Sequence, residues 1–346
     1  MDEQVNLRRP SMPAGVPHAA HRAPHSKANA QITACISQSG PALPVALHAF
    51  ALAKSLNAPV TLLQVLEPDQ NAERPDPVEW DLRRHEARRS LTRLAAPPDT
   101  SMSRAAIRLA DGLIAEEFRR LASDHVGNML VVGMPQADAP HCRGIGHTVH
   151  ELLREASAAI LLVPPAGGGA LPAYRRIMVP VDGSPWAASA LPLAIRLAIA
   201  NDAELLLAHI IPPPELTEIA PYDAADLALQ RQVVERNTRA ANAYLQKMRQ
   251  TITQAGIKVR VLTNQGRDVR CALEDIIKQE AVDLVILSAR GHGLSANTDM
   301  PYGSVAAYLM MHSTAPLLLV PVSLSKRSAV TASAIRNLRM PTLAST

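Results

Sequence analysis

The amino-acid sequence predicts an α/β fold made of two tandem modules, each a mostly parallel five-stranded sheet flanked by helices. Three observations carry this expectation. Short apolar strand patterns alternate with helical patterns along most of the chain, which implies right-handed βαβ units and a parallel sheet. The pattern is also written twice. Ala158-Ala-Ile-Leu-Leu-Val-Pro164 returns as Ala315-Pro-Leu-Leu-Leu-Val-Pro321, Ile32 matches Ile177 at an offset of 145, and Val163 matches Val320 at 157. Such self-similarity marks a duplicated unit. Finally, 47% of the residues are hydrophobic but only 3% aromatic. Cores built from Ala, Leu, Ile and Val suit buried parallel strands under small-faced helices. The 346 residues accommodate two domains of about 140 to 150 residues each.

Residues 1–29 hold Pro10, Pro13, Pro17 and Pro24 without periodicity and are expected to be a disordered tail. His18, His21 and His25 lie in that tail without Cys or acidic co-ligands, so no metal site is expected. The first domain, 30–166, opens with a short strand at Ile32–Ile36, a helix over Ala42–Leu56 ended by Asn57-Ala-Pro59, and a strand over Val60–Leu66. A Pro-rich loop covers Glu67 to Asp76. Trp80 to Leu94 reads as a basic amphipathic helix with Arg83, Arg84, Arg88 and Arg89 on a solvated face. A strand at Ala105–Leu109, a helix at Leu113–Ser123 and a strand at Met129–Val132 follow, then a helix at Val149–Ala156 and a strand at Ile160–Val163.

Pro164 to Pro172, with three consecutive glycines, has the composition of a linker. The second domain, 173–323, repeats the order: strand Ile177–Val181, helix Pro185–Ala200, strand Glu204–Ile210, and a long helix from about Ala224 to Thr253. Strand Val259–Leu262, helix Val269–Glu280, strand Leu284–Leu287, helix Val305–His312 and strand Leu317–Val320 complete it. Residues 324–346 form a basic tail.

The formal charge of +4 belongs to the ends. Residues 1–30 carry four basic and two acidic residues, and 323–346 carry Lys326, Arg327, Arg336 and Arg339 without an acid, so the body between them is near −2. A basic face for nucleic acid is therefore not expected. No apolar run reaches the roughly 18 residues that span a bilayer, and the N-terminus lacks the apolar stretch of a secretory signal. Cys35, Cys142 and Cys271 form no CxxC pair. A reducing cytoplasm, with Cys35 buried and inert, is the expectation.

In open α/β sheets, ligands bind beyond the carboxyl ends of the strands near the switch in strand order. Two such places stand out in the second domain. One is Val181-Asp182-Gly183-Ser184 after its first strand. The other is the loop from Ser288 through Arg290-Gly291-His292-Gly293 to Gly303-Ser304-Val305, where a buried strand gives way to glycines and a helix start. Backbone N–H groups there suit an anionic phosphate. Rival motifs fail: no G-x4-G-K-[ST] occurs. Gly291-His-Gly-Leu-Ser-Ala296 runs into Asn297-Thr-Asp-Met-Pro301 where a dinucleotide fold would open its helix. Taken singly, Asp182 also suits a cap for the helix after Pro185, and Ser304 a plain helix start.

Val-Pro-Val-Asp-Gly-Ser184, the strand ending Ala208-His-Ile-Ile211, and Gly291 to Ser304 before Leu317-Leu-Leu-Val-Pro321 resemble the universal stress protein family. The resemblance covers residues 30 to 323 and is stronger in the second domain. It implies flavodoxin-like (adenine nucleotide α-hydrolase-like) modules that dimerise, and ATP bound through a loop written G-x2-G-x9-G-[ST]. By that resemblance Asp182 and the backbone near Ile210 take adenine and ribose, while Gly291, Gly293, Gly303 and Ser304 take the phosphates of ATP or ADP, with or without magnesium. Arg290 and His292 add phosphate donors. The pattern is imperfect. Setting Ser288-Ala-Arg-Gly291 on its first half leaves eleven residues before Gly303, and setting Arg290-Gly-His-Gly293 there restores nine but starts on Arg. The first glycine is missing in both settings. The first domain has Ser37 where the second has Asp182, and reads Gly133-Met-Pro-Gln136, nine residues, Gly146-His147. Its site is expected to be degenerate.

The expected function is that of a cytoplasmic tandem stress-response regulator with a nucleotide in its second domain. An intramolecular pseudo-dimer, a homodimer and an unidentified protein partner accompany that expectation. The alternative is an interaction protein with both loops degenerate. No nucleophile–base pair accompanies Asp182, so no activity beyond weak ATP hydrolysis is expected.

Overall fold

The structure, a computed structural model, describes residues 31–37, 40–68, 76–124, 128–134, 153, 158–165, 168–214, 223–289 and 302–321. Both expected tails, most of the expected helix at 149–156, and the loop residues Arg290, Gly291, His292 and Gly293 lie outside the described residues.

The first domain contributes β1 (Ile32–Cys35), α1 (Ala42–Leu56), β2 (Val60–Leu66), α2 (Pro77–Leu94), β3 (Ala106–Asp111), α3 (Ile114–Asp124), β4 (Met129–Gly133) and β5 (Ala159–Val163). The second contributes β6 (Arg176–Pro180), α4 (Pro185–Ala188), α5 (Leu191–Asn201), β7 (Glu204–Ile211), α6 (Ala224–Thr253), β8 (Val259–Gln265), α7 (Val269–Gln279), β9 (Leu284–Ser288), α8 (Ser304–His312) and β10 (Leu317–Val320). Two expectations shift for local reasons. Helix α2 starts three residues early, because Asp76 accepts from the Val78 N–H and Pro77 occupies the first turn, where a missing N–H costs nothing. The single helix expected from Pro185 to Ala200 is two helices. Pro192, at the start of α5, has no N–H to continue the α4 ladder, so the chain turns through Ser189-Ala190.

The ten strands among the described residues form one sheet in the order β3-β2-β1-β4-β5-β10-β9-β6-β7-β8. Each domain is thus a doubly wound parallel sheet, and its order reverses between β1 and β4 or between β6 and β9. Among the described residues the one antiparallel pairing is the seam between the domains, where Leu317, Leu318 and Leu319 face Leu162, Leu161 and Ile160. Side chains alternate across the sheet. Leu161 and Leu318 therefore enter the core under α1, α2, α5 and α6. Ile160, Leu162, Leu317 and Leu319 enter the opposite core under α3, α7 and α8. Both cores run through the seam into both domains.

The two domains also meet through helices. Helix α1 packs on α5, and Asn201 donates from Nδ2 to Ser55 Oγ at 2.9 Å. The two helices end alike, on Asn57 and Asp202 in the left-handed region (φ 51° and 47°), positions related by the offset of 145. Tyr174, just before β6, is fully buried. Its hydroxyl meets His48 Nδ1 of α1 at 2.7 Å, a buried polar bond between domains.

The burial of His48 makes folding pH-dependent. Burial lowers the pKa of His48 to about 4, whereas an unfolded His titrates near 6.5. On acidification the unfolded chain takes the proton first. The stability contributed by neutral His48 is therefore present above pH ~6.5 and lost as pH falls towards 4, at a cost of about 3 kcal/mol. The expected result is a urea midpoint that drops between pH 7 and pH 4.5 in the native chain, and drops distinctly less in His48→Gln, which keeps a partner for Tyr174. Equal drops in both chains would contradict this account.

Candidate functional site

A cavity of about 410 Å³ opens at the carboxyl ends of β6, β7 and β9, beside the point where the strand order of the second domain reverses. Its volume lies in the range of small-ligand pockets. Val181, Asp182, Ile210, Gly303, Ser304 and Val305, six of the residues singled out in the sequence, all line it. They come from three separate segments and are brought together by the register of β6 with β7 and with β9.

The turn after β6 is built by its own polar atoms. Val181 donates to the Ala208 carbonyl at 2.8 Å. Asp182 Oδ1 accepts from the Ser184 N–H at 2.9 Å. Between them Gly183 has φ 81°, a left-handed conformation that glycine adopts without strain. Helix α4 is capped by Ser184, whose Oγ accepts from the Ala187 N–H, and not by Asp182. Asp182 holds the turn that presents it to the cavity. Its charge reaches Tyr244 of α6, whose pKa is pushed up to about 12, first by burial and then by Asp182.

At the other end of the cavity lies the first turn of α8. Its N-cap is Gly303, with φ −72° and ψ 160° and no side-chain cap. Ser304 is the first helical residue, as its simplest reading had it. Gly303, Ser304, Val305 and Ala306 all line the cavity, so the N–H groups of an uncapped first turn and the positive end of the helix dipole meet that space. Gly303 also donates to the Ala289 carbonyl at 3.0 Å, which ties together the two ends of the loop holding Arg290 to Gly293.

Backbone bonds resolve which residue stands at the first-glycine position. Ala289 donates to Val320 as Met134 donates to Val163, so Ser288 is the counterpart of Gly133. The setting that begins on Ser288 is therefore the structural one. The buried Ser288 brings a Cβ to the wall of the cavity. In the first domain the matching glycine is needed for packing. A Cβ on Gly133 would lie 2.7 Å from Pro41 Cδ and 3.3 Å from Val45 Cγ2, at the start of α1. Gln64 is buried with its Oε1 unpaired among the described residues, where the second domain has His209.

Two polar residues of the cavity were not anticipated. His209, quoted within its strand but given no role, meets the Val181 carbonyl through Nδ1 at 2.6 Å, which makes Nδ1 the protonated nitrogen. Asn237 comes from α6, far from both motifs in sequence. A polar residue on an amphipathic helix is indistinguishable in sequence from a solvated one. The remaining walls are mainly Ala, Val, Ile, Leu and Pro.

Among the described residues no group of three or more His, Cys, Asp or Glu could hold a metal ion, and no helix is long and apolar enough to cross a membrane. Cys35 is buried, and burial pushes its thiol pKa far up. Cys271 is exposed.

Comparison with known proteins gives a consistent answer. The family model described as the universal stress protein family matches residues 29–164 and again 173–321. The universal stress protein YxiE of Bacillus subtilis (strain 168) is 25% identical over 154 residues, covering 42% of this chain and 99% of that protein. A putative universal stress protein of Staphylococcus haemolyticus (strain JCSC1435) is 26% identical over 148 residues, covering 42% of this chain and 84% of its own length. Among solved structures, a universal stress protein from Archaeoglobus fulgidus DSM 4304 covers 84% of this chain and 96% of its own, with 15% identity and a TM-score of 0.58. At that identity the likeness concerns the fold. With two matches that together span most of its length, the chain belongs to the universal stress protein family, and it carries the family domain twice.

Proposed function

We propose that the second domain, 173–323, binds ATP or ADP, and that the protein is a cytoplasmic stress-response regulator whose first domain, 30–166, has a degenerate site. The observation that carries this is the meeting, in one apolar cavity, of an uncapped helix N-terminus at Gly303–Ser304 with the carboxylate of Asp182. The helix N–H groups suit phosphate oxygens. Asp182 suits ribose hydroxyls, which donate to a carboxylate. The walls around Ile210, Val181 and Leu273 suit a flat base. Arg290, Gly291, His292 and Gly293 complete the phosphate side in this reading. Magnesium would accompany the phosphates, with Asp182 the only carboxylate among the described lining residues. No residue is assigned a catalytic role. A protein partner and a homodimer belong to the same proposal.

One observation favours a second reading, an interaction protein that binds no nucleotide. Ser288 puts a side chain where the ATP-loop pattern has glycine.

Isothermal titration of the full chain separates the two readings. ATP or ADP is expected to bind to one site, and mass spectrometry of the denatured protein is expected to release the same nucleotide. Gly303→Val should weaken binding about 100-fold or more, since its extended backbone accepts valine while the branched side chain covers the first turn of α8. Absence of titratable affinity in the native chain would sink the nucleotide reading. Ser288→Gly tests the loop itself. Removing the Cβ should tighten ATP binding by roughly fivefold, and a loss of affinity would show that the serine serves the ligand.

A further inference from the structure

Beyond the glycine loop and Asp182, the cavity contains a group suited to identifying the base. Asn237, Ala240 and Ala241 line it together. They lie three and four residues apart on α6 and therefore share one helix face. Two alanines beside one amide leave Asn237 as the polar group which that face turns to the cavity. Three other amides of this domain are held by protein partners: Asn201 by Ser55 and the Leu197 carbonyl, Asn242 by Thr263, and Gln230 by the Pro214 carbonyl. Among the described residues no hydrogen bond engages the Asn237 side chain, which is half-buried.

A carboxamide offers a donor and an acceptor side by side. It matches a base edge that also pairs one donor with one acceptor, as adenine does with its 6-amino group and N7. The corresponding edge of guanine shows two acceptors, O6 and N7. The opposite wall is strand β7, where Ile210 is already engaged in register with Asn264 of β8. A base between β7 and α6 thus meets the end of β7, where His209 also lines the cavity, on one side and the Asn237 amide on the other.

We infer that Asn237 is a specificity-determining residue that reads the amino-bearing edge of an adenine-type base, an assignment that rests on the nucleotide reading of the cavity. The test is isothermal titration of the full chain with ATP and with GTP, for the native protein, Asn237→Ala and Asn237→Asp. Both substitutions sit on a half-buried helical surface, and alanine is the better helix former there, so folding is retained and is checked by circular dichroism. The native chain should prefer ATP. Asn237→Ala should lose about tenfold or more in ATP affinity with little change for GTP, so that the ATP-to-GTP ratio falls towards one. Asn237→Asp, which keeps the acceptor but loses the donor, should also lose ATP affinity. A purely structural role for Asn237 would weaken both nucleotides alike and leave the ratio unchanged. ATP binding in the native chain with an unchanged ratio in Asn237→Ala would overturn this assignment and leave the site reading intact. A native chain that binds neither nucleotide would overturn both.

Discussion

The antiparallel pairing of β5 with β10 is the contact on which the rest of the molecule depends. Both strands are wholly buried runs of aliphatic residues. Left unpaired, either would be an apolar sheet edge of the kind that recruits other chains. Pairing them turns two five-stranded sheets into one of ten and makes each hydrophobic core continuous across the junction. The contacts of α1 with α5 and of Tyr174 with His48 follow from it, because they bridge domains that the seam has already brought side by side. Since the described strands run parallel within each domain and reverse at the seam, the carboxyl ends of the strands of the two domains point in opposite directions.

The two crevices at those ends are related by duplication yet use their shared positions differently. In the first, Gly133 lets Pro41 of the α1 entrance pack against the end of β4. In the second, the counterpart of Gly133 is Ser288, and the helix entrance is split into α4 and α5 around Pro192. The conspicuous glycine of the first loop thus satisfies a packing demand. The second domain combines a serine at that position with an open cavity and an uncapped α8. Glycine content alone is a poor guide to which crevice accepts a ligand. What fills the space in front of each glycine matters more.

Much of the fold was legible because strand and helix periods differ and because the chain repeats itself. Helices α1 and α6 and strands β2 and β10 fall on the boundaries read from the sequence. Proline at a helix start misled in both directions: Pro77 opens α2 early, and Pro192 interrupts a helix that periodicity made continuous. Strand β3 extends to Asp111 because it follows the ladder of its neighbour β2, a long-range pairing that local pattern does not encode. The same limit applies to the cavity. Asp182 and Gly303–Ser304 were visible because their loops have unusual local composition, while His209 and Asn237 sit inside regular elements. Which of their faces meets the cavity is settled by strand register and helix packing.

The seam also has a consequence for how the protein can evolve. A module that assembles with an identical copy carries every mutation in both of its crevices, so a change that helps one and harms the other is selected on the sum. Placing both partners of the junction on one polypeptide removes that coupling. Ser37 and Asp182, Gly133 and Ser288, and Gln64 and His209 occupy equivalent places, yet each belongs to its own codon. Divergence of the two crevices is what such a gene permits, so long as the aliphatic residues of β5 and β10 remain complementary.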